Sequence, residues 1–259
     1  MKQNLHVDLN CDLGESSDTA QLEIQSRILS LVTSVNIACG FHAGDPDLMR
    51  RTVQQAHALG VALGAHPGLP DREAHGRKER DVSVTEVEDL VAYQLGALAG
   101  IAALDGARLS HVKPHGALYT MAARDTDIAM AIAGAVLAVD RQLLLVGRAG
   151  SRLIEAGRAL GLTVVEEAFA DRAYHSDGSL VSRDRPAALI HDQQSVADRA
   201  LSLVRDGMID CVDGARIPVR ADTLCVHGDT PGAELLVAAI REALTNAGIR
   251  IAPVLHEQS

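Results

Sequence analysis

The sequence predicts an α/β fold built on parallel strands, and three observations predict it. Short apolar runs recur along the 259 residues, each followed by a segment whose apolar residues fall at helical spacing. Seven such strand–helix units follow one another without a linker. Strands joined through helices run parallel with right-handed crossovers, which gives a closed or nearly closed (β/α) barrel or an open doubly wound sheet. The alternation leaves both open, although no GxGxxG follows the first strand, which counts against a dinucleotide-binding sheet.

Strands are expected at residues 5–9, 35–39, 61–65, 109–113, 143–147, 163–169 and 223–227. Helices are expected at 20–32, 46–59, 84–104, 128–139, 151–160, 195–205 and 231–247. The second helix carries Met49, Val53 and Ala56 on one face, and the third carries Val84, Val87, Val91, Leu95, Leu98 and Ala102. Asp45-Pro46 and Thr230-Pro231 put a capping residue before a proline at the first helical position. Ser83 and Glu86 have capping-box spacing. Gly60, Gly106, Gly161 and Gly248 stand where glycines end helices. Three segments break the rhythm: charged loops at 67–81 and 171–186, and a hairpin at 211–219 around Asp213-Gly214. Residues 1–259 read as one barrel-sized domain.

Hydrophobic residues make up 47% of the chain and charged residues 22%, which supplies a core and excludes a disordered tail. The net charge of −10 argues against a nucleic-acid or anionic-membrane surface. Aromatics at 2% argue against a base-stacking platform. No run approaches the ~18 apolar residues of a membrane-spanning helix, and Met1-Lys2-Gln3-Asn4 opens no signal peptide. Cys11, Cys39, Cys211 and Cys225 form no CxxC pair, so buried free thiols in a reducing cytoplasm are expected.

The chemistry-bearing residues fall in a pattern. His42, His66, His115 and His227 lie at or near the C-terminal ends of strands, as do Asp8, Asn10, Asp12, Lys113 and Asp171. Parallel α/β folds bind ligands at that edge. Asp8, Asn10 and Asp12 alternate along a strand and so share one side, a placement that costs free energy unless they are solvated, hydrogen-bonded or metal-bound. Asp8, Asp12, His42 and His66 suit a divalent metal, and equally a metal-free acid–base set. Lys113-Pro114-His115 joins a cation to an imidazole, which suits a carboxylate or an oxyanion. His111 is read as facing away from the neighbours of Lys113. The chain has no GxxxxGK[ST], no GxSxG and no HExxH.

Six stretches then stand in a familiar order: Asp8-Leu-Asn-Cys-Asp-Leu-Gly-Glu15, Asn36-Ile-Ala-Cys-Gly-Phe-His-Ala-Gly-Asp-Pro46, Gly64-Ala-His-Pro-Gly68, His111-Val-Lys-Pro-His-Gly-Ala-Leu-Tyr119, Phe169-Ala-Asp-Arg-Ala-Tyr174 and Cys225-Val-His-Gly-Asp-Thr-Pro-Gly232. Together they resemble the LamB/YcsF family across residues 5–250. The resemblance implies a seven-stranded (β/α) barrel similar to the glycoside hydrolase/deacetylase group. It also implies ATP-dependent opening of the 5-oxoproline (pyroglutamate) lactam to L-glutamate, with Mg accompanying ATP and with two partner subunits, B and C. Shared ATP chemistry fits the missing P-loop.

On that footing Asp12 or His42 is the expected base for water, Lys113 the oxyanion or phosphate contact, and His115 and His227 the proton carriers. Asp8, Asn10, Glu15, His66, Asp45, Arg77, Asp171, Arg172 and Asp229 are expected around the substrate, with Arg72 as a further clamp. The helix starts at Asp45 and Thr230 suit an anion. Two alternatives stand beside this: a metal-dependent amide or ester hydrolase resembling polysaccharide deacetylases, and a non-catalytic member of a larger complex. The chain departs from the family pattern at Ser16-Ser17-Asp18 and from Leu69 to Arg77, where the family carries aromatics.

Overall fold

The computed structural model describes residues 5–228 and 232–254. The strands are β1 (His6–Leu13), β2 (Ser34–Ala38), β3 (Ala62–His66), β4 (Leu109–Val112), β5 (Leu144–Arg148), β6 (Val164–Phe169), β7 (Met208–Asp210), β8 (Arg216–Pro218), β9 (Thr223–His227) and β10 (Arg250–Ile251). The helices are α1 (Thr19–Leu29), α2 (Pro46–Ala58), α3 (Val84–Leu104), α4 (Gly116–Arg124), α5 (Thr126–Val139), α6 (Arg152–Ala159), α7 (Gln193–Leu201) and α8 (Ala233–Asn246).

Seven parallel strands run in the order β1-β2-β3-β4-β5-β6-β9, and β1 pairs with β9 as well as with β2. That second pairing closes the sheet, so the fold is a barrel and not an open sheet. The pleat then sorts the residues of β1. Val7, Leu9, Cys11 and Leu13 point outward into the main apolar core under the helices, while Asp8, Asn10 and Asp12 point into the barrel. Leu144, Val146 and Val165 form a separate small apolar cluster with Val254. The rest of the barrel interior is largely polar.

Local signals set the helix ends. Asp45 accepts a hydrogen bond from the Leu48 amide with Pro46 as the first helical residue, and Ser83 and Glu86 cap α3 reciprocally. Gly60, Gly106, Gly161 and Gly248 all adopt positive φ just beyond helices. The Thr230-Pro231 start lies outside the described residues. Asp18, at the first departure from the family pattern, caps α1.

Four differences from the expected elements are physical. β1 extends to Leu13 because the ladder to β9 pairs Asn10 with Cys225 and Asp12 with His227; polar residues that face a barrel interior do not end a strand. α4 starts at a glycine right after Lys113-Pro114-His115 and is too short to show clear periodicity. The helix expected at 195–205 ends at Leu201 and continues as five residues of π helix, Ser202–Asp206, which stop at Gly207 with φ 63°. β10 pairs with the start of β1. The stretch at 211–219 spans the turn and second strand of an antiparallel hairpin of β7 and β8. α3 is long and apolar enough by length and composition to cross a bilayer. Here its Val87–Val91–Leu95–Leu98 face is buried in the core. All four cysteines are free and buried.

Candidate active site

Lys113 stands just past β4, its amide donating to the Ala65 carbonyl and so extending the β3–β4 ladder. Its ammonium lies inside the barrel, 2.8 Å from Asp12 Oδ1, 2.9 Å from Glu167 Oε1 and 3.0 Å from Cys225 Sγ. Burial opposes the charge on Lys113, but Asp12, Cys225 and Glu167 outweigh it and raise its pKa well above the ordinary lysine value. Burial likewise pushes the Asp12 carboxyl up, and His66 and Lys113 overcome this and hold it well below the usual carboxylate range. The Tyr119 hydroxyl donates to Glu167 Oε2 at 2.8 Å, which fixes the second oxygen of that carboxylate.

Beneath this centre the barrel is filled by a hydrogen-bonded ladder. Asn36 Nδ2 donates to Asp12 Oδ1 and to Asn10 Oδ1, each at 2.8 Å. Asn10 Nδ2 donates to Glu167 Oε1 at 3.0 Å and to Thr223 Oγ1 at 2.7 Å. His111 Nε2 meets Asn36 Oδ1 at 2.8 Å. At the far end Asp8 accepts hydrogen bonds from the hydroxyls of Thr33, Ser34 and Thr223. Burial raises the Asp8 carboxyl despite those three donors.

Three imidazoles gather on the other side of Asp12. His66 Nε2 is 3.3 Å from Asp12 Oδ2, and His115 Nδ1 is 2.9 Å from His66 Nε2. His42 stacks on His115 with ring centroids 3.8 Å apart. Glu15 Oε1 lies 3.6 Å from His42 Nε2 and 3.5 Å from His115 Nδ1. Burial, joined by the neighbouring imidazoles, holds His115 well below the ordinary histidine value, and burial lowers His42 despite Glu15.

A cavity of about 410 Å³ opens at this end of the barrel. Asp12, His66, Lys113, His115, Phe169 and His227 line it. His227 Nδ1 is 3.1 Å from Asp171 Oδ2, and its ring stacks on Phe169. Burial raises Asp171, but the charge and hydrogen bond of His227 win and leave it below its ordinary value. Arg77, Arg124, Arg148, Arg172 and Arg183 also line the cavity. Arg172 is 6% exposed, donates through Nη2 to the Val181 carbonyl and keeps its buried Nε unpaired. Burial and the nearby Arg183 lower its pKa to about 10. A guanidinium so placed, among like charges, favours an anionic occupant.

The structure therefore gathers Asp12, His66, Lys113, His115, His227, Arg77 and Arg172 around one cavity, with Asp171 directly behind His227. Several expected positions fall elsewhere. Asp8 and Asn10 face inward but lie deeper, consumed by the hydroxyl and amide ladder, so Asp8 is no partner of His42 and His66 in a metal set. His42 is buried beneath Gly68 and Gly76 and does not line the cavity. Glu15 sits beside His42 and His115, behind the cavity wall. Asp45 is exposed and spends its carboxylate on capping α2. Arg72 donates to the Gly40 and Gly44 carbonyls and braces the β2–α2 loop. Asp229 lies outside the described residues. His111 faces the same interior as Lys113, as strand parity requires, and not away from it.

Sequence reasoning misses Glu167, Asn36, Tyr119 and Cys225 as site residues, yet they build the centre. A signal exists for Glu167: like Asp8 and Asn10, it interrupts an otherwise apolar strand. Among the described residues three groups of donor atoms are close enough to share an ion: Asp12, His66 and His115; Asp12, Cys225 and His227; and Glu15, His42 and His115.

Comparison with known proteins agrees with this architecture. The chain is 53% identical over 247 residues to a Chloroflexus aggregans protein named as the A subunit of 5-oxoprolinase, covering 95% of this chain and 98% of that one. It matches the crystal structure of a lactam utilization protein from Thermus thermophilus with a TM-score of 0.90 at 46% identity, over 96% of this chain and 100% of that one. A family 4 carbohydrate esterase from Streptomyces lividans shares the fold at TM-score 0.50 and 14% identity, over 97% of this chain and 93% of that one. The profile of the LamB/YcsF family matches residues 7–259, and this chain belongs to that family.

Proposed function

We propose that this chain opens the lactam of 5-oxoproline to give L-glutamate, as one component of an ATP-dependent 5-oxoprolinase that works with partner subunits B and C. The names of its relatives support the reaction and the assembly. The observation that carries a catalytic role is the Asp171–His227 pair, which presents an imidazole to the same cavity as Lys113 and Arg172.

A five-membered lactam is an unactivated amide, so water alone attacks it slowly. ATP, carried with Mg, supplies a phosphoryl group that converts the amide oxygen into a leaving group. Asp171 holds the Nδ1 proton of His227, which leaves Nε2 to take a proton from the water that attacks the phosphorylated carbon. Collapse of that adduct breaks the C–N bond, the proton passes to the departing ring nitrogen, and a second water then releases phosphate from the acyl phosphate that remains. Lys113 offsets negative charge that develops on the carbonyl side. Arg77 and Arg172 hold the substrate carboxylate or the transferred phosphate. With no GxxxxGK[ST] in this chain, the partner subunits hold most of the nucleotide. ATP use and four buried free thiols support a cytoplasmic setting.

The test is glutamate release from 5-oxoproline and ATP, measured for this chain alone and after reconstitution with subunits B and C. Turnover that needs all three chains and is lost in His227→Gln is expected. Full turnover by B and C without this chain, or by a complex carrying His227→Gln, refutes the role.

A further inference from the structure

We propose that Asp12, His66 and His115 form a binding site for one divalent transition-metal ion of the zinc class, held between His66 Nε2 and His115 Nδ1 with the Glu15 carboxylate beside it. The inference concerns the imidazole cluster behind the cavity wall and does not rest on the lactam reaction.

The tautomers carry it. His66 Nδ1 lies 2.7 Å from the Lys113 carbonyl, and His115 Nε2 lies 2.8 Å from the His75 carbonyl. A carbonyl oxygen can only accept, so each ring must donate from that nitrogen. In the neutral rings this leaves His66 Nε2 and His115 Nδ1 as bare lone pairs. These two atoms face each other at 2.9 Å, with Asp12 Oδ2 3.3 Å from the first and Glu15 Oε1 3.5 Å from the second. The donor atoms of Asp12, His66 and His115 all lie within 4.8 Å of one another, so two lone pairs and a carboxylate oxygen face one point, an arrangement that suits a cation. Imidazoles whose outer N–H is held by a backbone carbonyl are the usual arrangement for metal-bound histidine.

Unsatisfied atoms point the same way. Glu15 Oε1 and both ring nitrogens of His42 are buried without a hydrogen-bond partner. The 3.6 Å between Glu15 Oε1 and His42 Nε2 is too long for a hydrogen bond. Each such orphan is destabilising when left unpaired. The 3.3 Å between Asp12 Oδ2 and His66 Nε2 suits metal ligands: bonds of about 2.0–2.1 Å in tetrahedral geometry set donor atoms about 3.3 Å apart. The site is also enclosed. A Cβ on Gly68 would come 2.5 Å from His42 Nδ1, and one on Gly76 would come 2.8 Å from His42 Cβ.

The test uses the chain alone, stripped with a chelator and titrated with ZnCl₂ by calorimetry, with CoCl₂ as an absorbing substitute. One equivalent per chain with a Kd below about 1 μM is expected, together with the visible bands of low-coordinate Co(II). Glu15→Gln and His115→Asn should each weaken Zn²⁺ binding at least tenfold, whereas His175→Gln, an exposed histidine, leaves it unchanged. Far-UV circular dichroism of the metal-free variants confirms that they fold, and Glu15→Gln is near-isosteric. Wild-type binding no tighter than about 1 mM overturns the site. So does affinity that survives both variants, which would assign the ion to Asp12, Cys225 and His227 instead. No lactam or nucleotide is present, so this result and the turnover result can fail separately.

Discussion

The space that a side chain at position 64 would occupy is filled by the imidazole of His111: a Cβ on Gly64 would fall against its ring atoms. The β3–β4 register shifts between Leu63 and Gly64, which sets Gly64 opposite His111. The ring cannot swing away cheaply, because it is held between Asn36 Oδ1 and the Ser110 hydroxyl, each 2.8 Å away. Gly64→Ala should therefore destabilise the barrel by about 1–3 kcal/mol through overpacking. In a His111→Ala background, where the space is vacant, the same change should cost little. Urea denaturation of the four proteins gives the coupling, and a coupling below about 0.5 kcal/mol would contradict this packing.

Asp171→Asn isolates what the carboxylate does for His227. Asparagine fills the same volume but no longer secures the Nδ1 proton, so the imidazole loses its fixed tautomer. The kcat of the reconstituted complex should fall by about 10²–10⁴-fold, with KM for 5-oxoproline nearly unchanged. An equal loss appearing in KM would mean that the pair serves binding instead.

Arg172→Gln should show the opposite split. The side chain is buried beside the cavity with one N–H unpaired, so a bound anion gains a charge-assisted hydrogen bond there. Such bonds contribute about 1.5–3 kcal/mol. KM for 5-oxoproline should rise about 10–150-fold while kcat changes far less. Steady-state kinetics across substrate concentration decide it.

Much of this is legible in the sequence, for reasons visible in individual residues. Asp45-Pro46 and the Ser83–Glu86 box act locally, so the starts of α2 and α3 can be read directly. Asp12, His66, Lys113, His115 and His227 can be placed at one edge because strand ends share a topological position. What cannot be read is depth. Asp8, Asn10 and Asp12 look alike in a strand, yet only Asp12 borders the cavity; the others are spent on Ser34, Asn36 and Thr223, partners whose pairing depends on barrel register. Closure is equally hidden, since the β1–β9 pairing joins residues more than two hundred positions apart. Glu167 escapes because its partner, Lys113, is reached only once the barrel has closed.

The buried neutral ring of His111 also makes a prediction about acid. Burial, reinforced by the charge of Lys113, lowers its pKa to about 3, against about 6.5 in the unfolded chain. Between those values the unfolded state binds a proton that the native state refuses. Its contribution is therefore complete above pH 6.5 and is lost as pH falls toward 3, roughly 5 kcal/mol over the whole window. Asp8 works in the opposite sense: its raised carboxyl favours the native state at low pH and loses that advantage as pH rises. Asp8 is the same in wild type and a His111 variant, so the difference between their slopes reads the histidine. His111→Gln keeps a donor toward Asn36 but removes the titration. Its stability should fall less steeply with acid than that of the wild type, by about 1.4 kcal/mol per pH unit below pH 6. Urea midpoints at pH 7.5, 6.5 and 5.5 measure the two slopes. Parallel slopes would show that His111 takes up a proton in the folded barrel and would refute its exclusion by burial and by Lys113.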